Sequence, residues 1–243
     1  MRNTWIIAKR ELASYFSSPV AYVFIVIFLL LMGFFTFMMG GFFRYNEASL
    51  LSFFVWHPWL YMLLVPAVGM RLWAEERRMG TLELLFTMPI TGAQAILGKF
   101  LSGWLFLGFA LLLTLPMPIT VFYLGEPDLG PMLTGYFGSF LMAGAYLAIS
   151  GMTSACTRNQ VISFITSVVI CLFLVLAGYP PVTNIILKWG AANRLVEFAA
   201  ALSVIFHFES MQRGVLDLRD LIYFGTLTTF ALFTTAIVLR NRR

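Results

Sequence analysis

From Val20 to Gly41 the chain contains no Asp, Glu, Lys or Arg. A bilayer core of about 30 Å takes roughly 20 apolar residues as a helix. In lipid, only a helix or a closed barrel satisfies its own backbone. A run of this kind therefore has one main destination, a membrane-spanning helix. Five more runs follow over 48–70, 100–123, 133–156, 160–177 and 221–239. The composition agrees, with 60% hydrophobic and only 11% charged residues. Soluble domains are nearer half apolar and about a quarter charged. The predicted fold class is an all-α integral membrane protein with six transmembrane helices in a single domain over 1–243. No length remains for a soluble catalytic domain. The basic start leads into a span too long for a signal-peptide core, so no cleavable leader is expected.

Six spans put both termini on one side. Arg2, Lys9, Arg10, Arg71, Arg77, Arg78, Lys99, Arg158, Arg240, Arg242 and Arg243 share that side. Arg44, Lys188, Arg194, Arg213 and Arg219 lie opposite. The positive-inside rule then makes both termini cytoplasmic. The net charge of +5 reflects this topology and not a nucleic-acid partner.

Residues 1–19 read as an interfacial helix. Trp5, Ala8, Leu12, Tyr15 and Phe16 form its apolar stripe, with Arg10, Glu11 and Ser14 across from it. Pro116 and Pro118 predict a kink in the third span. The outer segment 178–220 is too long to be bare, and its apolar stretch Leu195–Phe208 is expected to lie flat on the outer surface or dip into it. Asp217, Arg219 and Asp220 position the last span at the outer boundary.

Several chemistries are excluded by their missing parts. Gly92–Phe100 looks like a phosphate loop but has five residues between its glycines and Phe100 where magnesium needs Ser or Thr. Lys99 is read as a snorkelling residue at the base of the third span. ATP and magnesium must then bind another chain. An intramembrane serine protease would need glycine at Ala148 and a histidine in a later span. Ser150 and Gly151 instead join the small-residue pairs Ser139/Ala143, Gly144/Ala148 and Gly151/Ala155, which let helices approach. Ion-coupled carriers carry ionisable residues inside spans, and here every Asp, Glu, Lys and Arg sits at span ends or in loops. Cys156 and Cys171 give no disulfide or metal spacing.

The densest charge lies in 74–92. Glu75, Glu76, Arg77 and Arg78 precede Gly80, a helix stop. Thr81 can cap a short new helix with Glu83 in its first turn and Leu82, Leu85 and Phe86 on one face, before Pro89. No mass in this chain covers that face, so it reads as a docking element.

Three segments now resemble a known family, the permease subunits of ABC-2-type transporters. They are Ile7–Leu12 with Tyr15–Pro19, then Glu75–Leu85 with Pro89–Thr91, then His207–Ser210 with Arg213–Asp220 and Tyr223-Phe224. The third is similar to the group of gliding-motility-associated and copper-maturation (nitrous oxide reductase) permeases. The resemblance implies a non-enzymatic chain in the bacterial inner membrane. It implies an N-terminal elbow helix carrying Lys9, Arg10 and Glu11, and a cytoplasmic coupling helix. Thr81, Leu82, Glu83, Leu84, Leu85 and Phe86 would dock a separate cytoplasmic ATPase, with Glu75, Glu76, Arg77 and Arg78 as the brace. Two permease chains would pair, as a homodimer or a heterodimer. Export driven by the partner's ATP is one expected role. Force transmission to a periplasmic protein through His207, Glu209, Arg213, Asp217, Arg219 and Asp220 is the other. No metal is assigned to His207, a single histidine without partners of its kind.

Overall fold

A computed structural model describes residues 2–43, 48–81, 90–179, 181–182 and 201–241. These residues form helices and turns, with no strand among them. In chain order they give α1 (Arg2–Ser17), α2 (Pro19–Phe34), α3 (Leu51–Phe54), α4 (His57–Gly69), α5 (Arg71–Met79) and α6 (Gly92–Leu112). Then come α7 (Pro116–Leu124), α8 (Leu129–Cys156), α9 (Gln160–Leu176), α10 (Val204–Gln212) and α11 (Leu218–Arg240). Among the described residues, four stretches are long and apolar enough to cross a membrane: Pro19–Met39, Gly92–Leu124, Leu129–Cys156 and Leu218–Arg240. The apolar α9 is shorter, at 17 residues.

The sequence explains the helix boundaries. Ser18 caps α2 and Pro19 occupies its first turn, where a missing N–H costs nothing. Thr91 and Gln94 form a reciprocal capping box on α6, at 3.3 and 3.1 Å. The stretch that mimics a phosphate loop is therefore the opening of an ordinary helix. Asp128, Asn159, Ser203 and Asp217 cap α8, α9, α10 and α11. Breaks also have causes. Pro116 cannot donate and crowds the preceding turn, so α6 and α7 are separated by a turn at Leu113–Leu115. Thr114 Oγ1 covers the Leu111 carbonyl there at 2.6 Å. The end of α2 widens into a π-helical turn over Phe35–Met39. The 48–70 stretch is not one straight rod, because Val55-Trp56 and Met70 interrupt it on either side of α4.

The central element is α8, which is buried without a break from Met142 to Gly151. It packs against α4, α6, α9, α10 and α11. Its small residues make these approaches possible. A Cβ on Gly144 would meet the Trp104 indole at 2.8 Å, and one on Gly138 would meet Met211 Sδ at 2.6 Å. Across the α4 contact, a Cβ on Gly69 would lie 2.4 Å from Ser150 Oγ.

Helix α1 lies against α6 with most of the expected stripe, since Ala8, Leu12, Tyr15 and Phe16 pack inward and Trp5 does not. Trp5 is exposed, while Ile7 and Ala8 turn inward. A Cβ on Gly98 would sit 2.8 Å from Ile7 Cβ, so this glycine lets α1 close onto α6. Tyr15 stacks on Phe106 at 5.2 Å, and Phe16 meets Phe109 edge-on at 5.3 Å. Glu11 belongs to this inner face and not to the outer one.

Candidate functional site at the charged junction

Helix α5 buries Leu72, Trp73 and Ala74 and leaves Arg78 and Met79 exposed. It begins at the break after α4, where backbone groups lose their regular partners. Ser154 of α8 replaces them. Its hydroxyl accepts from Trp73 N at 3.0 Å and Ala74 N at 2.9 Å, and donates to the Met70 carbonyl at 2.8 Å. Ser150, one turn away, donates to the Pro66 carbonyl at 3.3 Å. The Arg77 guanidinium donates to the Ala155 carbonyl. Gly80 ends α5 with φ of 72°, the left-handed region in which glycine carries no Cβ penalty.

Lys99 organises the junction. It was expected to snorkel outward, but its side chain is only 7% exposed. Its ammonium lies 2.9 Å from Glu76 Oε1 and 3.3 Å from Glu11 Oε2. It also sits 5.6 Å from the centre of the Trp73 ring, within cation–π range. The reason is positional. The lysine lies two turns inside α6, and the two carboxylates reach it before solvent does. Arg10 adds a bond to Glu11 at 3.0 Å. One cation thus joins α1, α5 and α6. Burial first, and Glu11 second, raise the pKa of the neighbouring Tyr15 phenol, with Arg71 pulling weakly the other way.

The expected site residues fall into three groups. Glu11 and Glu76 meet at Lys99, with Arg10 at their edge, while Lys9 and Arg78 are exposed. Glu75 is half-buried beside them. Thr81 is exposed, and its hydroxyl donates to the Glu76 carbonyl at 3.4 Å. Leu82, Glu83, Leu84, Leu85 and Phe86 lie outside the described residues. Sequence reasoning missed Lys99 and Ser154. A lysine two turns inside a helix that begins at a capping box was the available signal for the first.

At the other end of the bundle, α10 and α11 are tied together. One ring nitrogen of His207 lies 2.7 Å from Asp220 Oδ1, and the other lies 3.0 Å from the Ala201 carbonyl. Ser210 donates to the second Asp220 oxygen. The imidazole stacks on Tyr223 at 4.1 Å, whose hydroxyl reaches the Leu202 carbonyl at 2.7 Å. His207 and Asp220 are buried, while Glu209 pairs with Arg213 on the exposed side of α10. Asp217 caps α11 through Arg219 N at 2.9 Å, and the Arg219 side chain is exposed. Replacing Asp220 with alanine leaves the buried His207 ring nitrogen without its partner, a loss of about 1–3 kcal/mol. The melting temperature should fall. A His207→Ala/Asp220→Ala double variant should fall less than the sum of the singles. Additive losses would show that the two residues act independently.

Residues 60–239, most of the chain, match the family described as ABC-2 family transporter protein. The match spans α5, Lys99 and the His207–Asp220 pair. No curated protein matches the chain.

Proposed function

The chain belongs to the ABC-2 family of transporter proteins, and from that premise we propose that it is the membrane-spanning permease subunit of an ATP-driven transporter. The family implies an ATPase partner, and export driven by that partner's hydrolysis is the activity assigned. On this reading six spans cross the bacterial inner membrane, α1 is the elbow helix, and both termini are cytoplasmic. The segment Thr81–Phe86 docks the ATPase, and a second permease chain completes the transporter. The resemblance of His207–Ser210, Arg213–Asp220 and Tyr223-Phe224 to the gliding-motility-associated and copper-maturation permeases supports that subgroup.

One observation carries the reading. The helix that leads into the docking segment is held by ion pairs to α1 and α6 and by Ser154 to α8. A push on its free end therefore cannot be absorbed locally. Packed elements held at several points move together. The Glu11 and Glu76 carboxylates and the Lys99 ammonium supply the rigid corner, and the outer His207–Asp220 pair closes the opposite end of the bundle.

The test replaces Glu83 with lysine, or Leu85 with aspartate, in the complex with its ATPase. Both variants should insert normally, and transport should fall about tenfold or more while hydrolysis continues. Losing one well-packed apolar anchor at an interface is worth about that much. Unchanged ATPase binding together with unchanged transport would remove the docking assignment. A stable periplasmic protein in the purified complex, with no solute flux, would replace export with force transmission.

A further inference from the structure

A cavity of about 600 Å³ opens between α1, α2 and the α4–α5 bend. Its two ends differ in chemistry. One end is lined by Arg71, Glu75 and Glu76, beside the Lys99 junction. The other end is lined by Phe24, Ile27 and Leu64. Moving from Val20 to Ile27 along α2 covers about 10 Å at the helical rise, so the apolar part runs well into the span. The volume lies within the roughly 300–1,000 Å³ of ligand sites. Val23 and Ile27 on its rim are exposed, so the cleft opens sideways towards lipid.

At the charged end one acceptor lacks its donor. Glu76 Oε1 is held by Lys99, but Glu76 Oε2 is buried with no hydrogen-bond partner among the described residues. An ionised carboxylate only accepts, so its complement must donate. The cavity's charged lining, Glu11, Glu75 and Glu76 against Arg71 and Lys99, leaves an excess of acid. An ammonium with N–H bonds fits this oxygen. A quaternary ammonium has none to give. Arg71, at the same end, matches a phosphate.

We propose that this cavity binds a bilayer phospholipid with a primary-amine headgroup, its ammonium on Glu76 and part of one acyl chain between α2 and α4. The lipid fills the wedge between α1 and the α4–α5 bend, and so completes the junction around Lys99. The assignment is independent of what the transporter carries.

The full chain is reconstituted in bilayers of equal phosphatidylethanolamine, phosphatidylcholine and phosphatidylglycerol, then extracted and weighed by native mass spectrometry. One phosphatidylethanolamine per chain is expected to survive extraction, with the other two lipids removed. Glu76→Gln weakens a charge-assisted bond to a neutral one and should lower retention about tenfold. Ala67→Phe, in the cavity wall, should abolish retention while circular dichroism stays helical. Equal retention of the three lipids, or retention of none, overturns the proposal. So does an adduct that survives Ala67→Phe, or a Val23→Cys cross-link showing that a second copy fills the cleft. The lipid preference of the unsubstituted chain decides the matter even if a variant misfolds.

Discussion

Lys99→Met should produce the largest loss of stability of any single polar substitution in the described residues. The methionine keeps the apolar stem of the lysine and removes its charge. Glu11 and Glu76, whose side chains are 22% and 19% exposed, are then left close together with no shared cation. Removing one partner from a buried ion pair costs about 3–5 kcal/mol. Residual solvent contact of the acids puts this case at the lower end. The purified complex should melt several degrees lower, and α1 should become more open to protease. Adding Glu11→Gln and Glu76→Gln to Lys99→Met should recover most of the loss, because a neutral junction has no stranded charge. If the single variant melts with the parent, the junction carries no mechanical weight and the rigid-corner argument fails. If the triple variant melts no higher than the single, the loss comes from packing and not from charge.

Gly69→Val should have a comparable effect by a different route. A Cβ at Gly69 would lie 2.4 Å from Ser150 Oγ and 2.5 Å from Ser150 Cβ, closer than atoms tolerate. Neither neighbour is the far end of a flexible side chain, so α4 and α8 must separate. Overpacking of this kind costs about 1–3 kcal/mol, occasionally more. Separation also draws Ser150 from the Pro66 carbonyl and strains the Ser154 contacts one turn on. The expected readout is a drop in melting temperature with loss of transport. Gly69→Ala combined with Ser150→Gly removes the clash and should restore both. Failure of that pair to rescue, with Gly69→Ala alone well tolerated, would mean that the helices are not held at this distance.

The apolar runs made the helices legible, since long charge-free segments admit few other structures. The capping residues, Thr91 with Gln94 and Asp217 before α11, were readable in the same way, because a cap acts within three residues of itself. The interrupted course of 48–70 was not. Hydropathy does not register a turn at Val55-Trp56, where every residue stays apolar. The charged junction was harder still. Glu11, Glu76 and Lys99 are far apart in the chain, and each alone reads as a residue guarding a membrane boundary. Their meeting depends on Gly98 admitting Ile7, a packing detail without a periodic signature. At the opposite end of the bundle, His207 and Asp220 were both singled out, but as separate surface groups. Thirteen residues and a turn between two helices hid their pairing.

The Lys99 junction also dictates an order of assembly. Glu11 and Glu76 leave the ribosome before Lys99 does. When the lysine arrives, both of its acids are already in place at the membrane boundary, so its charge is neutralised as α6 enters. A chain that begins after α1 would deliver the same lysine to a single acid. Such a chain should stall at the insertion of α6, well before any ATPase is encountered.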